Sequence, residues 1–232
     1  NSISLTDQGR AFLREAEHLL RSYGQLWKNA ELIAQRKAVL RVGVAPMGAS
    51  LLFPRLRNGF YAACPDVTFE VTEDSTETLY QKIDTGELDF ALTVSIAPPG
   101  VDYCSVILGH SRLLFCVHRD HSLAEERVDT LSQVGQTPLI MLSDRYSQTK
   151  YLKRLFRAAD YTPNVIQYTS QVFTILQHIR ENAAAGFLSE DIVQREDSLT
   201  GFALREVEEA SVTVIWRKDA QVFPAMEALI HY

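Results

Sequence analysis

The stretch AVLRVGVAPMGASLLFP, residues 38–54, decides how this chain folds. Residues 39–45 have the β-branched content and the length of a strand. Pro46 cannot donate to a sheet ladder, and Gly48 permits a close backbone turn before Leu51 and Leu52 open an amphipathic segment. The reading is strand, tight loop, helix start. Such a loop presents backbone N–H groups above the sheet edge, and in an open parallel sheet ligands bind outside the carboxyl ends of the strands.

Toward the C-terminus, strand and helix signals alternate. VTFEVTE (67–73) and LDFALTV (88–94) read as strands, and 76–83 between them as a helix whose entry is marked by Asp74 and by Glu77 three residues on. That order predicts parallel strands with right-handed crossovers, an α/β fold. Pro98-Pro99-Gly100 punctuates the chain. Two apolar runs follow, 102–108 and 113–118, separated by Gly109-His110-Ser111, which is expected to bridge two lobes. A second series then repeats the pattern: TPLIML (137–142), a helix around 150–159, NVIQYTS (164–170), a helix over about 171–181, and AAAGFLS (183–189). SVTVIWRK (211–218) is a strand expected to rejoin the first lobe, with a helix over 223–231 after it. Two similar lobes with crossing connections imply a cleft.

Toward the N-terminus, Leu5-Thr6-Asp7-Gln8-Gly9 reads as the end of a strand and the start of a helix, with Thr6 or Asp7 available as the cap. Phe12, Ala16, Leu19, Leu20, Tyr23, Leu26, Trp27, Ala30 and Ile33 then recur at steps of three and four, one apolar stripe on a long helix. A stripe of that length ahead of the globular body predicts pairing with the same helix of a second copy, in preference to packing on its own domain.

A chain of 232 residues with 46% hydrophobic content can bury a sizeable core. No apolar run approaches the roughly 20 residues that span a bilayer, and the first residues carry no short apolar run with a small-residue cleavage site. A cytoplasmic protein with no membrane contact is therefore expected. Cys64, Cys104 and Cys116 are odd in number and widely spaced, against both a disulfide framework and a metal knuckle. The net charge of -6 divides into +2 over residues 1–37 and -8 over the rest. An acidic body binds duplex DNA poorly, since cationic side chains at phosphates drive such binding.

The common nucleophile, phosphate-loop, dinucleotide and zinc signatures are absent. His118 and His121 in HRDH read as a solvated turn; two histidines alone do not make a metal site. Asp84, Glu87 and Asp89 around Gly86 read as a helix-to-strand turn with solvated charges, not as catalytic carboxylates. No enzyme activity, cofactor or metal is expected.

With lobes, crossing connections and leading helix assembled, the chain resembles a LysR-type transcriptional regulator that lacks most of its DNA-binding domain. ISLTDQGRAFL (3–13) is similar to the last wing strand of the family's winged helix-turn-helix and the start of its linker helix. LRVGVAPMGASLLFPRLRNGFYAACPDVTFEV (40–71) matches the family's first strand, helix and second strand. STETLYQKIDTGELDFAL (75–92) is the most specific part, and CVHRDHSLA (116–124) resembles the opening of the second lobe. There are departures. Asn182, Ala184 and Ser189 stand where the family has a Gly-x-Gly and, after the apolar stretch, a proline; Val94 and Ser95 stand where some aromatic-acid sensors place a basic residue.

The resemblance implies a two-lobed, periplasmic-binding-protein-like (type II) fold with two crossover connections behind a long linker helix. The implied division is 1–38 for wing remnant and linker, 39–109 with 208–232 for the first regulatory lobe, and 110–207 for the second. It implies a cytoplasmic homo-oligomer, dimer or tetramer, that binds a small-molecule effector and reaches promoter DNA only through the missing N-terminal domain. A transporter's solute-binding protein shares the fold but has no use for the leading stripe; an enzyme on the same fold is a further alternative.

The effector is expected between the lobes, at strand-to-helix junctions: Pro46, Met47, Gly48 and Ser50; Ser75 and Thr76; and Ser143, Thr169, Ser170 and Gln171. Several helix N-termini aimed at one cleft favour a carboxylate. By resemblance, Thr76 matches a ligand-contacting hydroxyl, and Met47 occupies a position where some members place a serine. Met47, Val94 and Phe187 point to a ligand with a substantial nonpolar part.

Overall fold

Thr6 starts the first helix, α1 (Asp7–Gln35): its Oγ1 accepts the Gly9 N–H at 3.0 Å and its carbonyl accepts that of Arg10 at 2.9 Å. Asp7, the alternative cap, instead pairs with Arg10 at 2.5 Å. The structure, a computed structural model, describes residues 4–35, 39–46 and 67–220. Along α1, Phe12, Leu19, Leu20, Tyr23, Leu26 and Trp27 are all more than half exposed; Ala16 is half-buried, Ala30 exposed, and the Ile33 side chain lies outside the described set.

The first sheet contains β1 (Val39–Val44), β2 (Thr68–Glu73), β3 (Phe90–Ser95), β4 (Tyr103–Ser111) and, from the far end of the chain, β10 (Ala210–Arg217). Its order is β2-β1-β3-β10-β4, with the first three parallel and β10 antiparallel to both neighbours. The helix α2 (Thr76–Asp84) joins β2 to β3. It buries Leu79 and Ile83 against Val42, Phe90 and Leu92. A Cβ on Gly43 would stand 2.7 Å from side-chain methyls of Leu79 and Leu88, both buried, so glycine lets these side chains pack directly on the strand backbone.

The second sheet contains β5 (Leu113–His118), β6 (Leu139–Leu142), β7 (Val165–Thr169), β8 (Ala185–Ser189) and β9 (Leu199–Phe202), in the order β7-β6-β8-β5-β9. Helices α3 (Ser147–Ala158) and α4 (Val172–Arg180) link its parallel strands, and the single turn α5 (Glu190–Val193) follows β8. Alternation along the strands makes two cores. Phe115, Val117, Leu139, Met141 and Phe187 meet α3 through Leu152 and Phe156; Leu114, Cys116, Ile140, Leu142 and Leu188 meet α4 through Ile175 and Ile179.

Three local readings are corrected. Gly109-His110-Ser111 is not a bridge but the end of β4, paired with 210–212 of β10; a bulge at Leu108 shifts the register, and Arg112 alone separates β4 from β5. Asp74 does not cap α2. Ser75 does, its Oγ accepting the Thr78 N–H at 3.3 Å, while Asp74 accepts the N–H of Ser75 at 2.8 Å. Asp84 and Asp89 are not merely solvated: Asp84 accepts the Tyr103 hydroxyl at 2.8 Å and pairs with Arg217 at 3.2 Å, and Asp89 accepts the Arg41 N–H at 2.7 Å. Burial, the larger effect, and the hydrogen bond to Asp84 raise the Tyr103 pKa.

The four residues of β9 were too short a run to announce a strand. Asn182, where the family has glycine, holds φ 52°, a left-handed conformation that asparagine tolerates better than most residues. The expected helix starting at 51, the C-terminal helix and Cys64 lie outside the described residues.

Candidate functional site

The two connections between the sheets lie side by side, because Ser111 at the end of β4 pairs with Ala210 at the start of β10. Arg112 carries the chain out to the second sheet, and residues 203–209 carry it back. Between the sheets, beside these connections, is a cavity of about 430 Å³. The first lobe lines it with Ala45 and Pro46 after β1, Thr76 at the start of α2, and Val94, Ser95, Ile96 and Ala97 at the end of β3. The second lobe supplies Leu142, Tyr146, Ser147, Gln148, Lys150, Tyr151, Arg154 and Ser189. Ser111, Leu113 and Ala210 come from the strand ends that flank the two connections, and Glu208 from the returning connection itself. In both lobes these are the carboxyl ends of parallel strands.

Spacing places the α3 residues. Ser147, Lys150, Tyr151 and Arg154 stand at i, i+3, i+4 and i+7, one helix face. The helix is held by Thr149, whose buried hydroxyl donates to the Leu142 carbonyl at 2.8 Å. Tyr151 ties it to the returning connection: its hydroxyl accepts the Glu208 N–H at 2.8 Å and donates to the Glu206 carbonyl at 3.4 Å. Just before α3, Tyr146 donates to the Ser170 carbonyl at 3.1 Å, and burial raises its phenol pKa against the opposing pull of Arg145, which lies 5.0 Å over the ring.

Among the described residues, the cavity carries two cations and one anion, Lys150, Arg154 and Glu208. Lys150 is shared with Glu77 of α2 at 2.5 Å. The Arg154 guanidinium lies 5.5 Å over the Tyr151 ring and has no carboxylate partner among the described residues.

Of the residues singled out from sequence, Pro46, Thr76 and Val94 line the cavity. Met47, Gly48 and Ser50 lie outside the described residues. Ser75, Ser143, Thr169, Ser170 and Gln171 are not among the lining residues. Ser75 is 3% exposed and caps α2; Thr169 Oγ1 accepts the Gln171 N–H at 3.2 Å; the Ser170 carbonyl accepts from Tyr146; and Gln171 begins α4 without a side-chain cap bond. The Ser143 hydroxyl is buried without a partner among the described residues. Phe187 is corrected: its ring is 1% exposed and packs on Phe115 and Phe156 at 5.6 and 6.1 Å between centroids, inside the second lobe's core.

Sequence reasoning missed Tyr146, Gln148, Lys150, Tyr151, Arg154 and Ser189, as well as the crossing segments. The polar i, i+3, i+4, i+7 face of α3 was a usable signal for three of them. The crossing segments gave none, since about 100 residues separate Ser111 from Ala210. His118 and His121 do local work: each Nδ1 accepts a backbone N–H at 3.1 Å, from Asp120 and Leu123.

A family model described as the LysR substrate binding domain matches residues 34–232. The chain belongs to the LysR substrate-binding-domain family. Among relatives of this family, YwbI of Bacillus subtilis, an uncharacterized HTH-type transcriptional regulator, is 26% identical over 205 residues, covering 87% of this chain and 68% of that protein. HcaR of Escherichia coli, the Hca operon transcriptional activator, is 25% identical over 177 residues, 75% of this chain and 59% of that one. The CcmR regulatory domain of Synechocystis, solved in complex with 2-PG, superposes with a TM-score of 0.75 at 19% identity, covering 84% of this chain and 97% of that domain. The fold is therefore the two-lobed, periplasmic-binding-protein-like fold of LysR effector-binding domains. The chain spans between 56 and 68% of the length of four curated relatives it matches. No helix among the described residues is long and apolar enough to cross a membrane.

Proposed function

We propose that this chain is the effector-sensing part of a cytoplasmic LysR-type regulator, and that it binds a small, partly apolar metabolite bearing a carboxylate between its lobes. The observation that carries this reading is the cavity itself. Much of its wall is apolar, as in Ala45, Val94, Ile96, Leu113 and Leu142, while Lys150 and Arg154 bring positive charge to one helix face. A ligand that touches both lobes shifts their relative populations of open and closed states. In the whole protein that shift changes how an oligomer, paired through α1, sits on promoter DNA, which a domain outside this chain contacts. The relatives' description as transcriptional regulators supports this output over catalysis.

The test is to purify the protein from its native host, identify the co-purifying small molecule by mass spectrometry, and titrate it back. A carboxylate-bearing molecule whose affinity falls about tenfold or more in Arg154→Ala is the expected result, since charge-assisted hydrogen bonds are worth more than neutral ones. A cationic ligand, or one turned over by the protein, would overturn the reading.

A further inference from the structure

Ser189 ends β8 beside the crossing segments, opposite Leu113 in the β5 ladder. It is 3% exposed, it lines the interlobe cavity, and its Oγ has no hydrogen-bond partner among the described residues. Local structure makes no use of that hydroxyl. Ser189 precedes α5 in the N-cap position, yet its side chain makes no capping bond. The backbone there is held instead by the next residue, whose N–H donates to the Arg112 carbonyl at 2.8 Å.

Two other small hydroxyls nearby are engaged: Ser95 donates to the Ala97 carbonyl at 2.9 Å, and Thr149 to that of Leu142. A buried hydroxyl without a partner is rare, because its desolvation is not compensated. Ser111, 7% exposed, adds a second hydroxyl to the same cavity from β4. Among the described residues, the cavity's cations are both on α3, Lys150 and Arg154. The α3 cations are the stronger match for a carboxylate, whereas a hydroxyl that both donates and accepts can satisfy both the donor and the acceptor of a neutral hydroxyl group.

We propose that Ser189 is a specificity residue of the cleft, and that the effector carries, besides its carboxylate, a hydroxyl or similar neutral hydrogen-bonding group that Ser189 reads. This rests on the carboxylate reading given above.

The probes are matched acids titrated calorimetrically into the 232-residue chain: benzoate against its 3- and 4-hydroxy forms, and hexanoate against its monohydroxylated forms. The expected result is that at least one hydroxylated acid binds about fivefold or more tighter than its parent. Ser189→Ala and Ser189→Cys then remove that advantage and leave the parent's affinity within about twofold. The ligand-free melting temperature of Ser189→Ala is expected to be no lower than that of the unsubstituted protein. If parent acids bind and no hydroxylated form is favoured, or the advantage survives in Ser189→Ala, the Ser189 assignment is wrong and the carboxylate reading stands. Equal loss of all acids with a lowered melting temperature marks Ser189 as structural and also overturns it. If no acid binds, both readings fall.

Discussion

Arg145 reaches across the cleft to Asp74, its Nη2 2.6 Å from Oδ1, and so joins the chain entering α3 in the second lobe to the chain entering α2 in the first. Asp74 is well sheltered, its side chain 19% exposed, and it also lies 3.7 Å from Lys82. Lys150 and Glu77 make a parallel link at 2.5 Å, both about half-exposed or more. The Lys150–Glu77 pair is open enough to solvent to contribute only about 0.5 kcal/mol and to weaken with salt, whereas the Arg145–Asp74 pair, with its carboxylate sheltered, is screened less. Their significance is positional, because they tie together two bodies otherwise connected by the crossing segments. We expect Arg145→Ala with Lys150→Ala to shift the lobes toward a more open arrangement, seen as a larger radius of gyration in X-ray scattering, with little loss of thermal stability. An unchanged scattering curve at low salt would falsify the tether.

Ser75 and Thr76 are neighbours with different tasks. Ser75 is buried and caps α2, whereas Thr76 lines the cavity. Ser75→Ala is expected to lower stability by about 1 kcal/mol, the usual cost of a lost cap. Thr76→Ala should change ligand affinity and leave the melting temperature nearly unaltered. Urea unfolding beside ligand titration separates the two, and the reverse pattern would refute the assignment.

Phe187 belongs to the core, so Phe187→Ala should cost about 3–5 kcal/mol of stability, the range for deleting a buried aromatic ring. Chemical denaturation measures it. A variant of near-native stability with altered binding would place the ring in the cleft after all.

Cys116 is wholly buried, and its thiol donates to the Leu114 carbonyl at 3.3 Å. Burial pushes its pKa from an ordinary 9.0 up to about 12, despite the lowering effect of a backbone hydrogen bond from Leu188. The native state thus holds the proton that the unfolded chain releases from pH 9 upward. This thiol's contribution to stability is full below pH 9 and lost between pH 9 and about 12. It should resist iodoacetamide at pH 8 and react once urea unfolds the chain, as peptide mass mapping would show. Rapid labelling of the native protein would contradict this.

On α1, Leu19 and Leu26 are 69% and 65% exposed, part of an apolar row longer than soluble monomers usually leave uncovered. Sedimentation should find a dimer or tetramer, and Leu19→Glu or Leu26→Glu should shift it to monomer. A monomer at micromolar concentration without substitution would rule out pairing through α1.

Local patterns in the sequence determined most of the fold. The β-branched run at 39–44, the capped helix at 76–84 and their repetition in the second lobe are set by short-range sterics and by periods of 2 and 3.6, which a linear reading detects. Asn182 stood out in the sequence only as a departure from the family's pattern; that it takes a left-handed conformation is read from the structure. What only the tertiary structure decided was which side chains share a space. Phe187 and Ser189 sit two residues apart on a strand buried along its whole length, so neither alternation nor hydropathy tells that the first packs on Phe156 while the second lines the cavity. Ser111 and Ala210 become neighbours only through the β4–β10 ladder, and Asp74 finds Arg145 only when the two lobes meet. Long-range packing makes those choices, and it leaves no period in the sequence because the contacts join segments whose separation along the chain follows no repeat.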